Sequence, residues 1–172
     1  RSLKNESNNL QFFDRSLLIL FKYWFNPSFL VLETIDWSTP ANILEKIIAY
    51  EAVHEINSWD DLRARLAPAD RKCFAFFHPL MPNEPLIFVE VALTNNMPDS
   101  ISEVIKIDRP ITQEQDINTA VFYSISNCQE GLSGISFGNF LIKNVAHKLK
   151  QENDGLDKFV TLSPMPGFSK WL

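Results

Sequence analysis

Between Thr119 and Leu162 the chain reads as strand, glycine-containing loop, amphipathic helix and strand, and this order narrows the possible folds most sharply. Thr119–Ile125 is an apolar run rich in β-branched and aromatic residues, as a strand requires. Gln129–Gly134 then interrupts it with two glycines. Phe137, Phe140, Leu141, Val145 and Leu149 follow at helical spacing on one face, and Asn153-Asp154-Gly155 stops the helix. Phe159–Leu162 is the next strand. Together they make a βαβ unit.

Upstream, Lys72–His78 and Leu86–Leu93 predict two strands, joined across the proline-rich turn Pro79–Pro85 into a hairpin. Phe29–Trp37 predicts another strand. Thr39 as N-cap and Pro40 in the first helical position predict a helix presenting Ile43, Leu44, Ile47 and Ile48. Ser58 and Asp61 open a short helix that Pro68 ends. Asn95–Ile117 is a polar connection with a helical turn near Ser102. Leu10–Phe25 predicts a helix too apolar for one narrow stripe, buried between two units, with a frayed polar segment, Arg1–Asn9, before it. A helical start, an antiparallel hairpin and a late βαβ unit define an α/β fold with a mixed sheet and flanking helices.

A chain of 172 residues suits one domain, or one domain with part of a neighbour. At 45% hydrophobic and 22% charged it can bury a core. A net charge of -5 argues against a nucleic-acid binder. It leaves room for a phosphate-bearing ligand held by backbone N–H groups. Cys73 and Cys128 make no disulfide framework, and no Cys/His set has metal-ligand spacing. The apolar stretch Leu17–Phe21 is too short to span a bilayer. A start at Arg1 and an apolar ending at Lys170-Trp171-Leu172 read as a fragment.

Two segments are candidates for chemistry. Ser133-Gly134-Ile135-Ser136-Phe137-Gly138-Asn139 lies at a strand-to-helix junction. There, helix N–H groups, close backbone approach at glycine and two hydroxyls could wrap a pyrophosphate. It matches neither the dinucleotide fingerprint nor the P-loop. Ser163 follows a strand and precedes Pro164-Met165-Pro166-Gly167-Phe168, a stiff setting for a hydroxyl. Taken alone, each segment also fits an ordinary turn. A catalytic serine needs a neighbouring base. His54, His78 and His147 each read as structural or solvated. Glu51 and Glu55, flanking His54, could form a polar cluster.

The loop is similar to the acyl-CoA loop of the GNAT acetyltransferase superfamily, Gln/Arg-x-x-Gly-x-Gly/Ala followed by an apolar helix. Gly138 and Leu141 fit it, while Ser133 and Ser136 depart from the first residue and first glycine. That resemblance implies that the strand before the loop, Val121–Ile125, lies alongside a pantetheine arm. Across the chain, further stretches resemble the malonyl-CoA decarboxylase family: Tyr23–Glu33, Glu51–His54, Glu84–Thr94, Ala120–Ser126, Gly138–Lys143 and Leu162–Leu172.

The family resemblance implies a GNAT-like catalytic domain from residue 27 to 172, truncated, with residues 1–26 as the end of a helical domain or a linker. It implies decarboxylation of malonyl-CoA to acetyl-CoA and CO2 in fatty-acid metabolism. The CoA thioester would be substrate, with no cofactor and no metal. Ser163 would be catalytic, paired with a histidine beyond Leu172, so the fragment would be inactive alone. Residues 133–139 would hold the CoA pyrophosphate. The implied partners are malonyl-CoA and further copies of the chain, with neither nucleic acid nor membrane. The setting would be the cytoplasm in a bacterium, or the mitochondrial matrix, peroxisome or cytosol in a eukaryote. An acyl-CoA N-acyltransferase or a non-catalytic acyl-CoA-binding module would share the same loop.

Overall fold

The computed structural model describes residues 2–132 and 134–164, and side chains from residue 10 onward. Five strands form one sheet in chain order: β1 (Val31–Ile35), β2 (Arg71–His78), β3 (Met81–Thr94), β4 (Thr119–Asn127) and β5 (Lys158–Thr161). β1 to β4 are antiparallel neighbours, and β4 pairs with β5 in parallel. The parallel pair needs a crossover. Helix α5 (Gly138–Glu152) supplies it, completing the βαβ unit.

Alternation along the strands builds two cores. On one face Phe74, Phe76, Val89, Val91 and Phe122 meet Leu141, Val145 and Leu149 of α5, all buried. On the other, Cys73, Ala75, Phe77 and Phe88 meet helices α2 (Ala41–Tyr50) and α3 (Trp59–Leu66). The short helix α4 (Ile101–Ile105) adds Val104 against Ala92, Val121 and Tyr123.

A β-bulge decides which way β4 points its residues. Glu90 lies opposite Ser124 and Val91 opposite Phe122, so Tyr123 is the extra residue. A bulge re-aims the side chains that follow it. Tyr123 and Ser124 therefore serve the same face of the sheet, with Ser126 beyond them, while Ile125 joins the α5 core.

Several local expectations need correcting. Helix α1 (Ser2–Trp24) begins at its first described residue, so Arg1–Asn9 is not a frayed lead-in over the described part. Within these 172 residues its apolar side chains stay largely exposed, Phe12 at 74% and Tyr23 at 71%. Pro40, not Thr39, holds the N-cap position of α2 and caps nothing; Thr39 Oγ1 instead accepts from the Asp36 N–H at 3.0 Å. The turn spans only Pro79-Leu80, because β3 runs back to Met81 with irregular register near Phe77. Phe140 is not in the core but 38% exposed, stacked over Phe76. α5 ends at Asn153 in extended backbone rather than on a left-handed residue. Lys150 Nζ reaches past that end and donates to the Asp154 and Leu156 carbonyls of the following turn at 2.9 and 2.6 Å. Ser58 does cap α3, accepting from the Asp61 N–H at 3.1 Å.

Candidate active site

At one end of the sheet, β4 and β5 part. Their pairing runs from Thr119–Lys158 to Phe122–Thr161, and the last link is the Leu162 N–H donating to the Phe122 carbonyl at 2.9 Å. β4 continues for Tyr123–Asn127 with no strand on that side among the described residues. Ser163 is the first residue beyond the last link and is exposed. This is the carboxyl end of the two parallel strands, where α/β proteins place ligands.

The sequence-predicted loop opens at the same end. A 3-10 turn, Glu130–Leu132, follows β4, and the Ile135 N–H donates to the Leu132 carbonyl at 3.0 Å. Gly134 sits at φ +91°, in left-handed backbone space that strains any residue with a Cβ. Its position is also close to α1: a Cβ there would lie 3.5 Å from Leu18 Cδ1. Phe137 is buried and anchors the start of α5 in the core, while Ser136 and Asn139 are exposed. Phe137 occupies the N-cap position with no side-chain cap, and its carbonyl accepts from the Leu141 N–H at 2.9 Å. Among the described residues, nothing else takes up the N–H groups of Gly138, Asn139 and Phe140. A helix start of this kind carries positive partial charge suited to an anion. A cavity of about 330 Å³ adjoins it, lined by Leu86, Asn127, Leu132, Gly134, Ile135 and Phe137.

Ser133 lies outside the described residues, as do residues 165–168 of the proline-rich segment after Ser163. The rest of the predicted loop follows the carboxyl end of β4, and Ser163 comes just past the link at Phe122, partway along that strand. The histidines do not join them. His78 packs edge-on to Phe25, and its Nδ1 accepts from the Leu80 N–H at 3.2 Å. His147 is exposed on α5, within 3.0 Å of Gln151 Nε2. His54 lies just past α2, half-buried, with its ring 6.4 Å from that of Tyr123.

Beneath the free half of β4 lies a buried polar cluster that sequence reasoning found only in part. The Glu51 carboxyl, 9% exposed, accepts from Ser124 Oγ at 2.7 and 2.8 Å and from Ser126 Oγ at 3.3 Å. It also accepts from the N–H groups of Val53 and His54, each at 2.8 Å. Nearby, Glu90 is fully buried and pairs with Arg65 at 3.0 Å, leaving its Oε1 without a hydrogen-bond partner. Burial raises the Glu90 carboxyl to about 7, against the opposing pull of Arg65. Burial likewise holds the Cys73 and Cys128 thiols well above their ordinary range, so neither is a nucleophile. The polar alternation Tyr123-Ser124-Ile125-Ser126 within an apolar strand was the signal for this cluster.

A second groove, of about 350 Å³, lies at the opposite end of the sheet around Asn95, Asn96 and Lys106. Its arginines are committed elsewhere. Arg109 clasps the buried Asp70 at 2.6 and 3.0 Å, and Arg71 donates to the Asp70 and Val104 carbonyls. That end is a structural staple for the 95–117 connection.

A mixed sheet whose parallel pair splits beside an uncapped helix start defines a protein of the acetyltransferase fold class. The ribosomal-protein-alanine N-acetyltransferase of Brucella melitensis superposes with a TM-score of 0.52 at 13% identity, over 83% of this chain and 87% of its own. That likeness establishes the fold alone. The family is narrower: the chain matches the malonyl-CoA decarboxylase C-terminal domain over residues 28–172, and it belongs to that family. The crystal structure of malonyl-CoA decarboxylase from Agrobacterium vitis aligns with a TM-score of 0.89 and 60% identity, over 92% of this chain and 39% of that one. The mitochondrial malonyl-CoA decarboxylase of Anser anser anser is 44% identical over 151 residues, covering 87% of this chain. The chain spans 30% of that relative's length. No helix among the described residues is long and apolar enough to cross a membrane.

Proposed function

We propose that the full-length protein carrying this chain decarboxylates malonyl-CoA to acetyl-CoA and CO2. The observation that carries the reading is the position of Ser163, beside the parting of β4 and β5 in a chain of this family. Residues 134–139, with Ser133, hold the CoA pyrophosphate at the start of α5. The free edge of β4 receives the extended pantetheine arm. This directs the malonyl group toward Ser163.

In the reaction, the bond between the malonyl carboxylate and C2 breaks. Its electron pair moves onto the thioester oxygen as an enolate, CO2 leaves, and a proton is added at C2. A site that stabilises the enolate oxygen and delivers that proton needs no metal or organic cofactor. Ser163 and a histidine from outside these 172 residues share the proton handling and the positioning of the carboxylate. The chain by itself is therefore inactive. Residues 27–172 form the front of the catalytic domain, and residues 1–26 the end of a helical domain or a linker. The exposed apolar side chains of α1 support burial against further protein, including other copies of the chain. The bacterial cytoplasm, or the mitochondrial matrix, peroxisome or cytosol of a eukaryote, would each supply the substrate.

The test is Ser163→Ala in the full-length protein. Malonyl-CoA should still bind while turnover falls by a factor of roughly 10²–10⁴, the usual contribution of a positioned proton-transfer group. Unchanged turnover would remove Ser163 from the mechanism. A second reading, transfer of the acyl group to an amine, would use the same loop and helix start. Mass analysis of malonyl-CoA incubated with the protein separates them: acetyl-CoA and CO2 formed without any acceptor support decarboxylation.

A further inference from the structure

We infer that Glu51 is a positioning residue for acyl-CoA binding, holding in register the half of β4 that has no β5 partner. The inference rests on the proposed placement of the acyl-CoA along that edge.

Past the last link at Phe122, β4 is held by β3 on one edge and left open on the other. On the α5 face, Ile125 packs into the core. On the opposite face, Ser124 and Ser126 are both tied to Glu51. The bulge at Tyr123 brings both serines to this face, so strand irregularity and carboxyl form one device. The tie is double. Ser126 Oγ also accepts from the Ala52 N–H at 3.1 Å, and Glu51 accepts from Val53 and His54 of its own turn. The whole 51–54 turn, itself fixed to α2 by the Glu51 N–H donating to the Ile47 carbonyl at 3.1 Å, is thereby latched to the free half of the strand. Buried polar groups are costly unless every one is satisfied, so removing Glu51 strands two buried hydroxyls and two N–H groups together. The strand can then relax only toward its open edge. A misplacement of about 1 Å in a substrate-positioning element can cost roughly a hundredfold.

The experiment compares Glu51→Ala and Glu51→Gln in the full-length protein, reading KM and kcat for malonyl-CoA, CoA affinity by calorimetry and the thermal midpoint. Alanine should raise KM and weaken CoA binding by about tenfold or more. Glutamine, of the same shape and still able to accept from the turn, should rescue most of that loss. A merely structural role would lower the midpoint and the active fraction while leaving KM and CoA affinity unchanged, and that result would overturn the inference. If Glu51→Ala does not fold, Ser124→Ala and Ser126→Ala each cut one tie, and unchanged CoA affinity in both would overturn it equally. Should the wild-type protein bind CoA yet leave malonyl-CoA intact, the decarboxylase reading fails. The CoA affinities would still decide the role of Glu51.

Discussion

Glu90 lies at the middle of the sheet, fully buried, and its protonation should set a measurable pH dependence of stability. In the fold, burial raises its carboxyl from 4.5 to about 7. Unfolded, the same group loses its proton near 4.5. Between those values the folded state holds a proton that the unfolded state has released, so stability falls as pH rises. This contribution is complete below pH 4.5 and lost once pH passes about 7. A displacement of that size corresponds to about 3 kcal/mol. Glu90→Gln removes the titration while keeping shape and an acceptor for Arg65. Urea unfolding of wild type and variant in the same full-length background, from pH 5 to pH 8, isolates the group as a difference. Relative to wild type, the variant should gain about 2.5 kcal/mol across that range, the remainder falling below pH 5. A difference that stays flat, with the variant less stable at every pH, would mean that Arg65 keeps Glu90 ionised throughout. Burial would then not govern the titration of Glu90.

Two further perturbations test the loop and the far end of the sheet. Gly134→Ala forces a Cβ into φ +91° backbone without a steric clash, since Leu18 lies at ordinary contact distance. It should cost about 1–2 kcal/mol in thermal or urea unfolding, and calorimetry should show weaker CoA binding. Asp70→Asn removes the carboxylate that Arg109 clasps. It should destabilise by roughly 3–5 kcal/mol, because the arginine is left facing an uncompensated site. Burial by itself would raise the Asp70 pKa, but the hydrogen bonds from Arg109 and the Thr112 N–H outweigh it and lower the pKa below 3.8. Its stabilisation is therefore present above pH 3.8 and lost as pH falls through the lower folded value, which acid unfolding of wild type against the variant would detect.

Period and punctuation in the sequence determined most of the architecture. The hairpin, the helix opened by Ser58 and the β4–α5–β5 crossover follow from alternation, 3.6-residue spacing and turn residues, which act locally. The places of residues 134–139 at a helix start and of Ser163 just after a strand were legible for the same reason. Tertiary structure decided the rest. No local signal placed the bulge at Tyr123, because it depends on how β4 registers against β3. The bulge in turn sends Ser124 and Ser126 to Glu51, more than 70 residues away in sequence. The pKa of Glu90 depends on burial and on Arg65, which only packing brings together. Local propensity sets which elements form. Which polar groups meet beneath the open edge of β4 is settled by long-range register, because their partners lie far apart in sequence.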